Sequence, residues 1–155
     1  MPCVDILAMI NIRGCLFPDH LLYDVKNHVW YERLENGAFR LGMDAVAVAL
    51  AGDILAFTPR RVGRPLDAGK ACAVVESGKW VGPARVVFDG VVEAVNDAMI
   101  DQPSLANSDP YGAGYMLIAR ASDETPVATL VSGNEIAQAY EDWMAANAFP
   151  GCDPA

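Results

Sequence analysis

Short apolar or alternating runs, separated by Gly, Pro, Asn and Asp, dominate the sequence and restrict the folds it can form. This pattern is typical of a mainly β domain with many tight connections, in which helix is the minority. The candidate strands are residues 29–34, 39–41, 53–58, 71–76, 86–95 and 115–121. We therefore expect a mainly β fold.

Length and charge restrict the domain count and the class of partner. A chain of 155 residues can bury one core, so we expect a single domain over residues 1–155. The net charge of −9 repels phosphate backbones, and the basic residues are scattered along the sequence, which argues against nucleic-acid binding. The apolar stretch 4–10 contains Asp5 and is too short to span a membrane, so we expect a cytoplasmic protein.

The cysteines and histidines have no metal-binding pattern. The thiols belong to Cys3, Cys15, Cys72 and Cys152. They form no CxxC pair, and His20 and His28 are not spaced for one face of a helix, so we predict no metal site. Cytosolic thiols are mostly reduced, which argues against a disulfide framework. Cys72 is interpreted as a buried strand residue.

Two segments favour helix. Residues 43–50 combine Val-Ala alternation with several alanines, and we interpret them as a short helix rather than a strand. Ser132 and Glu135 have the spacing of a capping box, which predicts a helix over about 133–147. Apolar residues recur along this helix at helical spacing, so it should dock on the β core. Residues 149–155 are rich in turn formers and are expected to form a loose tail.

A β-hairpin is predicted where two apolar strands, 71–76 and 81–87, flank Ser77-Gly78-Lys79-Trp80. Gly78 can adopt positive φ without steric cost, so a tight turn there lifts Lys79 into solvent, where an enzyme can reach it. The chain has only three lysines, but an exposed lysine at a turn needs no function. The hairpin alone therefore predicts a solvated lysine.

The residues around Lys79 resemble those of the lipoyl-domain family. Glu76 lies three residues before the lysine, Gly63 sixteen before it and Gly90 eleven after it, and all three positions match the family. The resemblance implies that lipoate is attached to Lys79 and that Glu76 helps the lipoylating enzyme to choose its target. It also implies that the two glycines permit turns flanking the hairpin.

Two further segments are similar to the H proteins of glycine cleavage. Residues 105–115 resemble the pattern N-x-x-P-Y-G-x-G-W, and His28-Val29-Trp30 resembles His-x-Trp. The match covers about residues 22–122. It implies a lipoyl-domain-like flattened barrel or sandwich hybrid with a C-terminal helix. It also implies a carrier subunit that serves partner enzymes and is not itself an enzyme, without catalytic residues of its own.

Residues next to Lys79 depart from that pattern. Glycine-cleavage H proteins usually have a small aliphatic residue or Thr before the lysine and Ala after it, whereas this chain has Gly78 and Trp80; Tyr115 also replaces the usual Trp. With residues 17–25, this segment resembles the lipoate-binding proteins of bacterial sulfur oxidation. That resemblance implies a monomer whose lipoyl arm carries sulfur substrate for a heterodisulfide-reductase-like complex. Lipoate ligase or other lipoylation machinery and dihydrolipoamide dehydrogenase are the other expected partners.

Several alternatives remain open from the sequence. The chain could be a glycine cleavage H protein that carries an aminomethyl group, or an unmodified interaction module. A biotin carrier is disfavoured because no Met flanks the lysine. Trp80 either shields the dithiolane or packs back on its own sheet, and packing back predicts a buried indole. Cys15 and Cys152 could exchange with the arm, although inert thiols are expected; Asp109 is interpreted as a turn former.

Overall fold

The computed structural model describes residues 8–152, in which short strands predominate. The strands are β1 (Met9–Ile12), β2 (Cys15–Pro18), β3 (Leu22–Asp24), β4 (Val29–Arg33), β5 (Phe39–Met43), β6 (Ile54–Pro59), β7 (Pro65–Leu66), β8 (Ala71–Ser77), β9 (Val81–Arg85), β10 (Gly90–Val95) and β11 (Leu117–Ala121). The α-helices are α1 (Ala45–Ala51), α2 (Asp97–Asp101), α3 (Leu105–Ser108) and α4 (Ile136–Ala146). The predicted mainly β fold with a C-terminal helix is confirmed.

Within residues 8–152 the strands form three antiparallel sheets. The largest has the order β3-β4-β5-β11-β10-β7, a second has the order β6-β8-β9, and β1 pairs with β2. In the three-stranded sheet β8 is central and β9 is an edge strand. The turn between β8 and β9 therefore projects from one end of this sheet.

Alternation along β4 divides the buried side chains between two cores. Val29 and Tyr31 belong to the larger core, which also takes side chains from the three-stranded sheet. Trp30 belongs to a second core with residues of α4 and the β1–β2 hairpin. Phe17 and Tyr140 stack in this second core with ring centroids 4.0 Å apart. Both faces of the six-stranded sheet are thus covered.

The local sequence pattern located most strands correctly. The predictions confirmed to within two residues at either end are 29–34, 39–41, 53–58, 71–76 and 115–121, and the short helix predicted at 43–50 is α1. The strand predicted at 86–95 is wrong in its first half, because β10 begins at Gly90. Residues 86–89 connect the three-stranded sheet to the six-stranded one, and Val86 and Phe88 remain buried there. Val86 still exchanges backbone hydrogen bonds with Gly69 and Lys70, but 86–89 form no strand, and their apolar alternation reflects burial.

The C-terminal helix begins differently from the prediction. Residues 133–135 form a 3-10 turn that precedes α4, and the Ser132 side chain makes no capping hydrogen bond. The capping-box prediction is therefore wrong, although the helix exists and buries Ile136, Tyr140 and Met144 as expected of a docked helix.

The predicted loose tail is also wrong for the described residues 149–152. Phe149 is buried, and its carbonyl accepts a hydrogen bond from the Arg13 guanidinium at 3.0 Å. The Cys152 N–H donates to the Arg13 carbonyl at 3.0 Å. Residues 153–155 and Cys3 lie outside the described range.

Cys15 and Cys152 form a disulfide, which contradicts the expectation that these thiols are reduced. The bond joins β2 to the chain end across a sequence separation of 137 residues. Nothing local in the sequence indicates this pairing, because it depends on how α4 returns the chain to the β1–β2 hairpin. The disulfide holds the C-terminal segment against the second core.

Replacing Cys152 with Ser should lower the free energy of unfolding by about 2–4 kcal/mol, because a cross-link over a long loop restricts the unfolded chain. Urea denaturation with and without a reductant measures the effect. The reductant should lower the midpoint of the wild type and leave that of Cys152→Ser unchanged. Equal midpoints for the oxidised wild type and the variant would contradict a stabilising disulfide.

Candidate functional site

Lys79 lies at the tip of the β8–β9 hairpin, as the sequence predicts, but Gly78 does not adopt the positive φ expected for this turn. The turn is closed by the Ser77 N–H, which donates to the Trp80 carbonyl at 2.7 Å, and a longer bond of 3.4 Å joins the Lys79 N–H to the Ser77 hydroxyl. Ser77 is buried, whereas Gly78, Lys79 and Trp80 are exposed. A Cβ added at Gly78 would meet no atom within 4 Å. The lysine is thus carried on a short, hydrogen-bonded turn with open space beside it.

The Lys79 side chain lies against the C-terminal end of α1. Gly52 ends this helix with a φ of +77°, and a Cβ placed there would lie 3.0 Å from Cε of Lys79. Within the described residues Lys79 forms no salt bridge. The side chain is therefore supported by backbone while its amine keeps no charged partner.

Asn107 holds this end of α1 in place. Its amide group donates to the Gly52 carbonyl at 2.8 Å and accepts from the Ile54 N–H at 2.9 Å. Asn107 belongs to the motif at 105–115, but its contact with Gly52 was not predicted, because the two residues are 55 positions apart. In the same motif Asp109 accepts from the Ala113 N–H at 2.9 Å, which agrees with its interpretation as a turn former.

The start of α1 is fixed by buried polar contacts. Asp44 is fully buried; its carboxylate accepts from the Ala47 N–H at 2.8 Å and from the Tyr140 hydroxyl at 2.5 Å. Burial raises the pKa of the Asp44 carboxyl, an effect opposed by nearby His28 and by these hydrogen bonds. The Tyr111 hydroxyl accepts from the Ala45 N–H at 2.9 Å. Both ends of α1 are thereby held in position.

A cleft of about 340 Å³ opens beside the hairpin. One wall is a single face of α1, formed by Ala47, Leu50 and Ala51 at helical spacing. The hairpin and the β3–β4 turn complete it with Trp80, Pro83, Ala84, Arg85, Lys26, Asn27 and His28, and β5 adds Met43. Ala51 also lines the shallow depression that contains Lys79, so the two cavities adjoin. This cleft was not predicted, because its walls come from three segments that are separate in the sequence.

Trp80 shows features of both predicted roles, packing on its own sheet and facing the site. A Cβ at Gly82 would lie 2.3 Å from the indole ring, so the ring packs back over that glycine. The indole is nevertheless 41% exposed, and the residue lines the cleft. The prediction of a fully buried indole is wrong. One face covers β9 while the remaining surface stays available to a ligand.

The other residues implied by the lipoyl-domain resemblance lie in two places. Glu76 is exposed and pairs with Val81 in the same hairpin as Lys79. Gly63 and Gly90 lie near β7 and β10, away from the hairpin tip. Gly63 occupies a turn with a φ of +87°. Gly90 begins a strand, and a Cβ there would lie 2.1 Å from the Arg120 carbonyl oxygen. Glycine at this position therefore permits two strands to approach closely and is not needed for a turn.

The remaining candidates do not join the site. Cys72 is fully buried in β8, and burial raises the pKa of its thiol to about 12, so it is unsuited to exchange. The basic residues are not all scattered as expected, because Arg60, Arg61 and Arg64 are close in sequence and line a separate depression. Among residues 8–152 no group of three His, Cys, Asp or Glu could hold a metal ion. No helix of that range is long and apolar enough to cross a membrane.

The family profile described as glycine cleavage H-protein matches residues 21–143, most of the chain. The chain belongs to this family. It is 39% identical over 134 residues to glycine cleavage system H protein 5 of Aquifex aeolicus, a match that covers 84% of this chain and 90% of the relative. It is 37% identical over 125 residues to the glycine cleavage system H protein of Cronobacter sakazakii, covering 81% and 96%.

A solved structure agrees with this assignment. The crystal structure of a glycine cleavage system H protein from Mycobacterium marinum superposes with a TM-score of 0.69 at 27% identity, covering 86% of this chain and all of that one. The lipoyl-domain-like flattened barrel or sandwich architecture is therefore confirmed. Members of the family are carrier subunits with lipoate attached to a lysine and are not themselves enzymes.

The comparisons support the predicted functions to different degrees. The H-protein-like carrier role is confirmed, and the names of the relatives refer to glycine cleavage. They support the aminomethyl-carrying alternative better than the sulfur-oxidation function that the residues beside Lys79 suggested. The heterodisulfide-reductase-like complex has no support among these names.

The contact between Gly52 and Lys79 can be tested with two alanine substitutions. Gly52→Ala and Gly69→Ala both place a side chain on backbone of positive φ, +77° and +81°, and should each lower stability by about 1–3 kcal/mol, with the larger loss at Gly52, whose ψ of −152° suits only glycine. Only Gly52→Ala should displace Lys79 and raise its acetylation rate, followed by peptide mass mapping, because a Cβ at Gly69 meets nothing within 4 Å. Equal rates in the two variants would show that Gly52 does not support the lysine.

Proposed function

We propose that Lys79 is the lysine that carries lipoate. The observation that carries this proposal is the exposure of Lys79 on a hydrogen-bonded hairpin turn, directly beside a largely apolar cleft. The surroundings fit the group: the amine has no charged partner in the described chain, and the space beside Gly78 is open. A modifying enzyme can reach the amine without disturbing the core.

A lipoyl group supplies a dithiol–disulfide pair that can exchange with sulfur species and pass electrons onward. The residues of this chain supply placement. The hairpin fixes the attachment point, and Gly52, held by Asn107, lies against the lysine side chain. Trp80 and Leu50 offer apolar surface along the cleft. A tethered carrier raises the local concentration of its cargo at each partner site.

We propose that the lipoylating enzyme recognises Glu76. Gly63 and Gly90 would contribute indirectly, by maintaining the backbone geometry at β7 and β10. Glu76 is exposed on the strand that leads into the turn. The glycines act at a distance, since they allow the turn before β7 and the close approach of β10 to β11. An exposed carboxylate at the hairpin fits a contact surface for that enzyme.

The cargo has two candidates. The names of the relatives favour the aminomethyl group of glycine cleavage, with decarboxylase, aminomethyltransferase and dihydrolipoamide dehydrogenase as partners. Sulfur transfer to a heterodisulfide-reductase-like complex is the second candidate. The specific observations in its favour are Gly78 and Trp80 beside the lysine and the cations in the cleft lining.

Glu76→Gln should slow lipoylation of Lys79 if the carboxylate is recognised. The loss of one exposed charge contact corresponds to about a threefold lower kcat/KM for the lipoylating enzyme. Glu35→Gln removes an exposed carboxylate elsewhere and serves as the matched control. An unchanged rate in Glu76→Gln would remove this residue from the recognition surface.

Complementation separates the two cargoes. In a host that lacks its own carrier, the wild-type chain should restore one pathway, glycine cleavage or sulfur oxidation, and Lys79→Arg should restore neither because it cannot form the lipoyl amide. Oxygen uptake on reduced sulfur and release of CO2 from glycine are the two readouts. Restoration of glycine cleavage without sulfur oxidation would exclude the second candidate, and the reverse would exclude the first.

A further inference from the structure

The cleft beside Lys79 has cationic residues and no acidic residue in its described lining. Lys26 enters from the β3–β4 turn and Arg85 from the end of β9, and no Asp or Glu of the described chain lines the cleft. We infer that this cleft favours an anionic group on the arm and disfavours a cationic one. The inference rests on the proposed lipoylation of Lys79 and specifies the charge of its cargo.

Neither cation is neutralised by an ion pair. Within residues 8–152, the five salt bridges involve other basic residues, and neither Lys26 nor Arg85 takes part in one. Arg85 donates only to the Gly69 carbonyl, at 3.0 Å. Other basic residues of the described chain also lack salt bridges, but Lys26 and Arg85 share the lining of one cleft that has no acidic side chain. Their positive charge remains available to a ligand.

Three acidic residues are close in sequence to residues of the cleft, but none of them lines it. Asp24, two residues before Lys26, accepts from the Asn27 side chain at 2.9 Å within its own turn. Asp44 lies fully buried behind the cleft wall and is bonded to Tyr140. Asp53 lines the depression at Lys79 and not the cleft. Among Lys, Arg, Asp and Glu, only Lys26 and Arg85 therefore line the cleft.

The apolar walls of the cleft strengthen its preference for an anionic group. Met43, Ala47, Leu50 and Trp80 are apolar and reduce the water around a bound group, so charge interactions weaken less than in bulk solvent. An aminomethyl adduct carries a protonated amine, which the cations would repel. A perthiolate or a sulfonate-type sulfur adduct carries negative charge, which they would attract. The lining thus favours the second cargo candidate.

The test varies only the charge on the arm. Lipoylated Cys3→Ser protein is reduced with dihydrolipoamide dehydrogenase and NADH, and the two new thiols are alkylated with iodoacetate, iodoacetamide or 2-bromoethylamine. These reagents give anionic, neutral and cationic adducts of similar size, and mass mapping verifies their position on Lys79. Docking is read from the NMR shift of the Trp80 indole N–H, which is assigned by its absence in Trp80→Phe.

The anionic adduct should populate the docked state about threefold more than the neutral one, the size typical of a partly exposed ion pair, and the cationic adduct should populate it less. Lys26→Glu should reverse that order. Arg61→Glu makes the same charge change at the separate arginine depression and should preserve it.

The possible failures are distinguishable. Absence of lipoate on Lys79 contradicts the proposed function and the inference together. Lipoylated protein whose three adducts dock alike, or whose order is unchanged by Lys26→Glu, contradicts the inference alone. Preferred docking of the cationic adduct would overturn it in favour of an aminomethyl cargo.

Discussion

Asp44 is a fully buried carboxylate whose hydrogen bonds connect the C-terminal helix to the helix that flanks Lys79. A buried carboxylate is costly unless its oxygens are bonded, and here the Ala47 N–H and the Tyr140 hydroxyl satisfy them. The same contact fixes the start of α1, whose far end meets the lysine at Gly52. Through this one group, the packing of α4 determines where the hairpin finds its support.

The site is therefore divided between an exposed part and a fixed part. The turn that carries Lys79 needs only local hydrogen bonds, so it can project into solvent without weakening the core. The surface on which an arm could rest is built from rigid elements, namely α1 and β9. A carrier requires both parts, because its lipoyl group must reach other proteins and must also have a defined resting position on the carrier itself.

Features encoded by neighbouring residues were predictable from the sequence. The strands and the hairpin follow from alternation and turn residues, and the spacing of Glu76, Gly63 and Gly90 around Lys79 pointed to the lipoyl resemblance. Features that depend on the tertiary path were missed. The Cys15–Cys152 disulfide, the brace from Asn107 and the cleft each join distant segments, and residues 86–89 keep strand-like alternation because they remain buried between two sheets.

We propose that this fold presents one particular lysine, Lys79, for lipoylation. The chain contains only Lys26, Lys70 and Lys79, so its modification can be mapped completely. The decisive measurement is the intact mass and peptide map of the chain coexpressed with a lipoylating enzyme that modifies a known carrier in parallel. We expect a single lipoyl group on Lys79, with Lys26 and Lys70 unmodified. An unmodified chain, or lipoate on either of the other two lysines, would contradict it.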